Sequence, residues 1–369
     1  MSTLEQATST VREGFELDTA PLLQWLRTHV PEFANARTLD LRQFRGGQSN
    51  PTYAITVDGR HYVLRKKPPG QLLPGAHAVD REYRVIAALG RQGFPVARAV
   101  ALCEDPSVVG TTFYVMDHVE GRIFWDPRLP EVPREGRAAI CDAMNATLAQ
   151  LHGILPAAAG LADFGKAGNY FARQLARWGG QYRDDTAAGR VADMDRLLDW
   201  LQANIPPGDD AALVHGDFRA DNMIFHPTEP RVLAVLDWEL STLGHPLADF
   251  GYHLMTWRMP SNALPGLMGA DLAALGLPSE EAYVEAYCRR TGRAGIENLD
   301  FYLAFNFFRL AAIFHGIRGR AIRGTAASAR AKEFSNHVEG IAALGWAQAE
   351  RAKLMSRIPK PSSWSTTAS

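Results

Sequence analysis

Two spacings of apolar residues alternate along this chain of 369 residues. After a polar start over residues 1–17, expected to be loose, DTAPLLQWLRTHV places a capping Asp18 before Leu22, Leu23 and Leu26. That is helical spacing, and it predicts a helix. Period-two alternation takes over in TLDLRQFRG and TYAITVDGRHYVLRKK. The Asp58-Gly59 pair inside the second of these predicts a hairpin. HAVDREYRVIAALGRQG reads as a helix ended by Gly93, and RAVALCED and TTFYVMDHV read as strands.

The pattern changes near Val119-Glu120-Gly121. Long helical stretches follow: REGRAAICDAMNATLAQLHGI, AGNYFARQLARWGGQY and ADMDRLLDWLQANI. A short β insertion over residues 213–237 interrupts them. Helices resume at ADFGYHLMTW, SEEAYVEAYCRRTG and NLDFYLAFNFFRLAAIFHGIRGRA, with a last one over about 326–357. The pattern predicts an α+β protein. Residues 1–118 form a small β-rich lobe with an N-terminal helix and one further helix, residues 119–358 a larger helical lobe, and residues 359–369 a disordered tail.

Composition narrows the class. A hydrophobic fraction of 46% with 21% charged residues is that of a globular chain, and the net charge of -1 gives no field for nucleic acid or a membrane surface. Cys103, Cys141 and Cys288 are odd in number and far apart, which argues against a disulfide framework or a CxxC metal site. No secretory signal opens the chain and no apolar run reaches membrane-spanning length, so a cytoplasmic location is expected.

Chemistry concentrates in LVHGDFRADNMIF and VLAVLDWE. His215, Asp217 and Asn222 form an HxDxxxxN pattern. The stretch MIFH, PTEP, VLAVL reads as a hairpin that returns Asp237 beside Asn222. Phosphoryl transfer from ATP is mostly positioning and charge neutralisation. One carboxylate, Asp217, would take the proton of the attacking hydroxyl. An amide oxygen and a second carboxylate, Asn222 and Asp237, would hold Mg²⁺ through hard oxygen ligands. The plainer reading makes the two acids turn formers and Asn222 a cap.

HGDFRADN and LDWE, with GHPLADFGYHL behind them, resemble the aminoglycoside phosphotransferase family, which has a protein-kinase-like bilobal fold. RGGQSNPTY, YVLRKKPPG, GNYFARQLARW and HGDFRADNMIFHP are similar to the kinase-like domains found alone in bacteria or fused to certain acyl-CoA dehydrogenases. The likeness spans about residues 20–345 and implies three features of the small lobe. A loop of backbone N–H groups over the phosphates would fall on Gly46, Gly47, Gln48, Ser49 and Asn50. A strand cation would be Arg65, where protein kinases carry Lys, and a helix acid pairing it would be Glu82; Asp80 belongs to the solvated side. Val63, Met116 and His118 would border the adenine. Asp249 is a further acid that members of that family carry; its plainer reading is a cap of the helix beginning near Phe250 that buttresses the catalytic loop. The helical pattern makes His152, beside Leu148 and Leu151, a packed core histidine.

The acceptor is harder to read. From Phe301 to Lys332 the sequence has six basic residues and no acid: Arg309, Arg318, Arg320, Arg323, Arg330 and Lys332. That suits an anionic acceptor better than a cationic aminoglycoside, and Arg173 and Arg177 could extend the surface. A solvated face paired with distant acids is the plainer explanation. The resemblance implies a hydroxyacyl-CoA or similar acid as acceptor and an acyl-CoA dehydrogenase as functional partner. Arg219, Arg309 and Trp257 are the acceptor-side candidates. The alternatives are an aminoglycoside, choline or sugar kinase of this fold, with Trp257 and the aromatic run Phe301 to Phe308 caging choline, or a non-catalytic nucleotide-binding partner of a dehydrogenase.

Overall fold

The structure is a computed structural model that describes residues 4–45, 50–68, 78–261, 265–325 and 331–356. The described residues fall into two compact units, the first drawn from Met1–Ala167, Ala211–Asp249 and Gly269–Ala294, the second from Gly168–Asp210, Phe250–Met268 and Gly295–Ser369.

The first unit opens differently from expectation. The polar start is ordered as a short helix α1 (Leu4–Ala7) and a two-residue strand β1 (Thr8–Ser9). An unpaired sheet edge supplies the reason, because it offers backbone partners to any neighbouring segment. Thr8 pairs with Phe44, Arg42 donates to the Thr8 hydroxyl at 2.8 Å, and the Arg12 N–H donates to Gln43 at 3.0 Å.

Helix α2 (Thr19–His29) begins at the Asp18 cap, whose carboxylate accepts from the Ala20 N–H. Strands β2 (Leu39–Phe44), β3 (Thr52–Val57) and β4 (Arg60–Lys66) then run as a meander, and Asp58 and Gly59 turn at positive φ as a tight hairpin requires. Helix α3 (Val79–Arg91) follows, then β5 (Ala99–Cys103), the short helix α4 (Pro106–Val109) and β6 (Phe113–Asp117). The six strands form one antiparallel sheet in the order β1-β2-β3-β4-β6-β5.

Alternation along β4 and β6 sorts the two faces of that sheet. Leu64 pairs with Val115 and Tyr53, and this face packs with Leu22 and Leu26 of α2 in one apolar core. Arg65 pairs with Tyr114, and Val63 with Met116, on the opposite face. Helix α3 turns its buried stripe of Val79, Glu82, Val85, Ile86 and Leu89 inward, so an acid sits in an otherwise apolar row.

Helix α5 (Arg134–Gly153) completes the first passage through this unit. The chain then contributes α6 (Tyr170–Asp184) and α7 (Ala192–Ala203) to the second unit. It returns as β7 (Ala212–Val214), the hairpin β8 (Met223–Phe225) and β9 (Val232–Val235), and β10 (Thr242–Gly244), which pairs antiparallel with β7. The β insertion therefore runs to Gly244, beyond the expected end at 237. Helix α8 (Pro246–Arg258) starts in this unit, and α9 (Leu272–Leu275) and α10 (Glu280–Thr291) close it, with α10 packed on α5.

The second unit is built around α11 (Leu299–Ile322), whose first four turns are largely apolar and buried. The last helical stretch is split into α12 (Ala331–Ser335) and α13 (Val338–Ser356). The Asn336 and His337 N–H groups bond three residues back, to Glu333 and Phe334, which tightens the chain and breaks the expected single helix. At Gly345 an added Cβ would stand 2.6 Å from Leu197 and 3.0 Å from Phe307, so glycine is what lets α13 approach α7 and α11. Among the described residues no helix is long and apolar enough to cross a membrane.

Leu26 is fully buried between α2 and the sheet. Leu26→Ala is expected to lower unfolding stability by about 2–5 kcal/mol through lost transfer energy and cavity formation, read as a fall in denaturant midpoint.

Candidate functional site

The polar centre lies wholly within the first unit. Arg65 projects from β4 with its side chain only 12% exposed, and its Nε stands 2.9 Å from Glu82 Oε2, an ion pair whose angle falls short of a hydrogen bond. Glu82 needs more than one partner because its side chain is 2% exposed. The Asn50 amide donates to its Oε1 at 2.9 Å and the buried Tyr114 hydroxyl to its Oε2 at 3.1 Å. Asn50, expected over the phosphates, thus turns its amide inward to the helix acid. The other loop residues of that expectation, Gly46, Gly47, Gln48 and Ser49, lie outside the described residues. Lys67, just past the end of β4, pairs with Asp80 at 3.1 Å.

Arg65 reaches further. Its Nη2 is 3.0 Å from Asp237 Oδ1 and 3.6 Å from Glu239 Oε2. One guanidinium therefore serves three carboxylates. Burial works against the charge on Arg65, yet the fields of Glu82, Tyr114, Asp237 and Glu239 outweigh it and raise its pKa. Burial likewise pushes Glu82 above the ordinary carboxylate range; Arg65 opposes this, and Asp237 and Glu239 add to it.

The loop between β7 and β8 carries the other charges. Gly216 sits at φ +84°, and a Cβ there would come within 2.9 Å of the Leu240 carbonyl, so the turn tolerates only glycine. Asp249, buried at the start of α8, accepts from the His215 N–H at 2.7 Å and the Gly216 N–H at 2.8 Å. Burial alone would raise its pKa, but the His152 hydrogen bond and charge and the His215 contacts hold it below the usual value. One residue further on, the Asp217 N–H meets His215 Nδ1 at 3.2 Å, and the Asn222 amide donates to Asp217 Oδ2 at 3.0 Å and to its carbonyl at 2.9 Å.

The hairpin joins these groups to Asp237. The Leu236 N–H donates to the Asn222 carbonyl at 2.8 Å, and His215 Nε2 donates to the Leu236 carbonyl at 2.8 Å. Asp237 itself takes the left-handed conformation at φ 64°, which Asp tolerates better than most residues. Trp238, buried beneath, donates to Val235 and lies edge-on to His215 at 4.7 Å.

Two acids that sequence reading passed over belong here. Asp221 accepts from Arg219 Nη2 at 3.1 Å, while Arg219 Nε lies 3.2 Å from Asp217 Oδ1. Burial raises the Asp221 pKa; Arg219 opposes that rise, and Asp217 and Asp237 both add to it, so the carboxylates of loop and hairpin share one field. Glu239 is the other. Each stands inside a quoted motif, HGDFRADN and LDWE, and the signal was simply an extra acid beside an assigned one.

The donor set suits a divalent cation. Asn222 spends its N–H groups on Asp217, and Asp237 gives Oδ1 to Arg65; Asn222 Oδ1 and Asp237 Oδ2 accept no hydrogen bond among the described residues. Both are hard oxygens in a field with more acids than cations.

The remaining candidates fall as follows. Val63 is buried and Met116 half-buried on the Arg65 face, and the His118 N–H is 3.4 Å from the His61 carbonyl. Arg309 and Trp257 belong to the second unit. Arg309 is buried, its guanidinium 5.4 Å from the Tyr252 ring centre and 6.0 Å from that of Trp178. Trp257 is buried against His253, and Phe301, Tyr302, Phe305, Phe307 and Phe308 are core residues. The acid-free run is not a free cationic surface: Arg318 pairs with Glu339 and Arg323 with Asp185. Arg330 and the Lys332 side chain lie outside what is described.

This combination of a β-strand cation, a helix acid and an HxDxxxxN loop over a hairpin acid defines a protein-kinase-like phosphotransferase. A profile of the phosphotransferase enzyme family matches residues 40–302, and the chain belongs to that family. Acyl-CoA dehydrogenase family member 11 of Gallus gallus is 45% identical over 360 residues, which are 96% of this chain and 46% of that protein. A crystal structure of a Ralstonia eutropha protein assigned to the aminoglycoside phosphotransferases is 47% identical with a TM-score of 0.84, covering 91% of this chain and 99% of that one. The spectinomycin phosphotransferase complex with ADP and spectinomycin is 12% identical with a TM-score of 0.58, over 91% of this chain and 99% of that one, and shares the fold. The chain spans less than half the length of the curated relatives it matches. The resemblance to this family, the kinase-like α+β fold and the kinship with dehydrogenase-fused domains are all borne out.

Arg65→Ala would leave Glu82 buried without a cation. A loss of about 3–5 kcal/mol is expected, measurable by urea unfolding; Glu82→Gln in the Arg65→Ala background should recover part of it.

Proposed function

We propose that this protein transfers the γ-phosphoryl group of ATP to a hydroxyl of a small molecule. The observation that supports the reading is that the Asn222 amide bonds Asp217 while the Asn222 carbonyl accepts from the N–H of Leu236, the residue before Asp237. In this reading Asp217 orients the acceptor hydroxyl and accepts its proton as the oxygen attacks phosphorus in line. Arg219, two residues on and already beside Asp217, is placed to offset charge there. Mg²⁺, held by Asn222 and Asp237, would neutralise the phosphate oxygens when bound. Arg65 would meet the same phosphates with a planar fork where protein kinases use Lys. At the crossing after β6, the Asp117 and His118 N–H groups are already engaged with the Arg98 and His61 carbonyls. Val119 is therefore the backbone we assign to adenine.

For the acceptor we propose a hydroxylated acyl group carried on coenzyme A or a similar anion. Its support is the kinship with acyl-CoA dehydrogenase family members, whose names carry that substrate class. The basic run of α11 lends little, since Arg318 and Arg323 are neutralised by acids. An acyl-CoA dehydrogenase working on the same acyl chain is the matching partner. The second reading, a nucleotide-binding module without turnover, rests on Arg65 occupying Asp237 in this arrangement.

Asp217→Asn should abolish ADP release in a screen of hydroxyacyl-CoAs, choline and aminoglycosides while ATP still raises the melting temperature. Asp237→Ala should instead lose the Mg²⁺-dependent part of that thermal shift. A shift without turnover on any alcohol would favour the binding module.

A further inference from the structure

We propose that Arg81 is a positioning residue: it latches α3 to the loop after α5 and so keeps Glu82 on Arg65. The inference rests on the reading of Arg65 as the phosphate-facing cation, although the latch itself needs no ligand. The start of α3 lacks a local hold. Ala78 at its N-cap offers no side-chain acceptor, so the first turn depends on contacts made elsewhere in the first unit. Three consecutive residues of that turn make them. Asp80 pairs with Lys67, just past β4, and Glu82 pairs with Arg65 on it. Arg81 reaches a different part of the unit. Its Nη2 donates to the Phe164 carbonyl at 2.7 Å and lies 3.5 Å from the Ser241 carbonyl, and its guanidinium sits 4.1 Å from the centre of the Phe164 ring.

The anchor is firm. Phe164 is fully buried, and its N–H bonds the Leu161 carbonyl. A Cβ on the next residue, Gly165, would stand 2.4 Å from Thr242 Oγ1 and 2.7 Å from the Leu243 nitrogen, so glycine seats this loop directly against β10. β10 begins one residue after Ser241, and Glu239, which shares Arg65 with Glu82, lies two residues before it. Arg81 thus ties the helix acid to the same stretch of chain that carries Asp237 and Glu239. The contact is no ion pair: a planar cation meets a ring face and a carbonyl, and no protonation near neutral pH releases it. Arg84, one turn on, reaches Asp163 and the Gly160 carbonyl, but both charged side chains are exposed, and such a pair holds weakly. The inner pair cannot hold the turn by itself either, because desolvation consumes most of the attraction between Glu82 and Arg65. Where the position of such a helix governs phosphoryl transfer, an outward swing breaks the cation–acid pair. Here the swing would first have to strip Arg81 from a buried ring and its carbonyl. The chain itself therefore sets α3 in its pairing position.

Amide hydrogen exchange on the full chain reads the latch directly. Arg81 is itself exposed, so Arg81→Met leaves the core filled and removes only the cation and its donors. Exchange in a peptide covering 79–89 should quicken about tenfold, with α5 and α10 unchanged. Arg81→Lys keeps a cation and a donor, and should stay within about threefold of wild type. Unchanged exchange in Arg81→Met would overturn the latch. So would quickening spread evenly over the chain, or an Arg81→Lys variant as loose as Arg81→Met. ATP affinity, titrated by thermal shift with Mg²⁺, should weaken about threefold in Arg81→Met, because only the paired fraction of helices binds. In a Glu82→Gln background the same change should weaken it no further. Faster exchange with unchanged ATP affinity, or equal weakening in both backgrounds, would make Arg81 a structural tie and overturn its positioning role. A wild-type chain without any ATP-dependent shift would instead reject the nucleotide reading, and the exchange measurements would still decide the latch.

Discussion

A single guanidinium shared among acids is the constraint around which the polar centre is arranged. Arg65 cannot be neutral, and it stands where the β-sheet, α3 and the hairpin acid all present carboxylates. Each neighbour follows from that charge. Glu82 is tolerable in the buried stripe of α3 because Arg65, Asn50 and Tyr114 together answer its two oxygens. Asp237 is drawn towards β4 by the same cation. The excess of acid over cation that results is the electrostatic condition in which a divalent ion or a bound phosphate–metal unit is welcome.

The second organising group, Asp249, acts on backbone rather than on charge. Loop amides at 215 and 216 lie at a glycine turn and have no strand ladder to satisfy them. A buried carboxylate at the start of α8 supplies both acceptors. With His215 pinned between Asp249 and the Leu236 carbonyl, the Asn222 side-chain amide ties down Asp217 and the Leu236 N–H ties the end of the hairpin to the Asn222 carbonyl. Such a scaffold suits a reaction whose catalysis is chiefly positioning.

Several elements were legible because their signals are local. The Asp58-Gly59 hairpin, the Asp18 cap of α2 and the inward Glu82 follow from turn chemistry, capping and i+3/i+4 spacing. The ordered N-terminus was not, since Thr8 pairs with a strand edge far along the chain. The Asn50 side chain shows a related limit: loop composition offers backbone N–H groups, but says nothing of a side-chain amide that turns inward to a buried acid. The basic stretch of α11 reads as a surface in one dimension. Its partners Glu339 and Asp185 come from other segments.

The amino-acid sequence by itself determined the family, the alternation that puts Arg65 and Val63 on one face of β4, and the motif holding Asp217, Asn222 and Asp237, because each depends on residue type and short-range spacing. Only the tertiary structure decided how charge is shared: that Arg65 bridges Glu82 to Asp237, that Asp221 and Glu239 join the same field, and that His152 stands between Tyr287 and Asp249. Burial and through-space distance set those energies, and neither is a property of neighbouring positions along a chain.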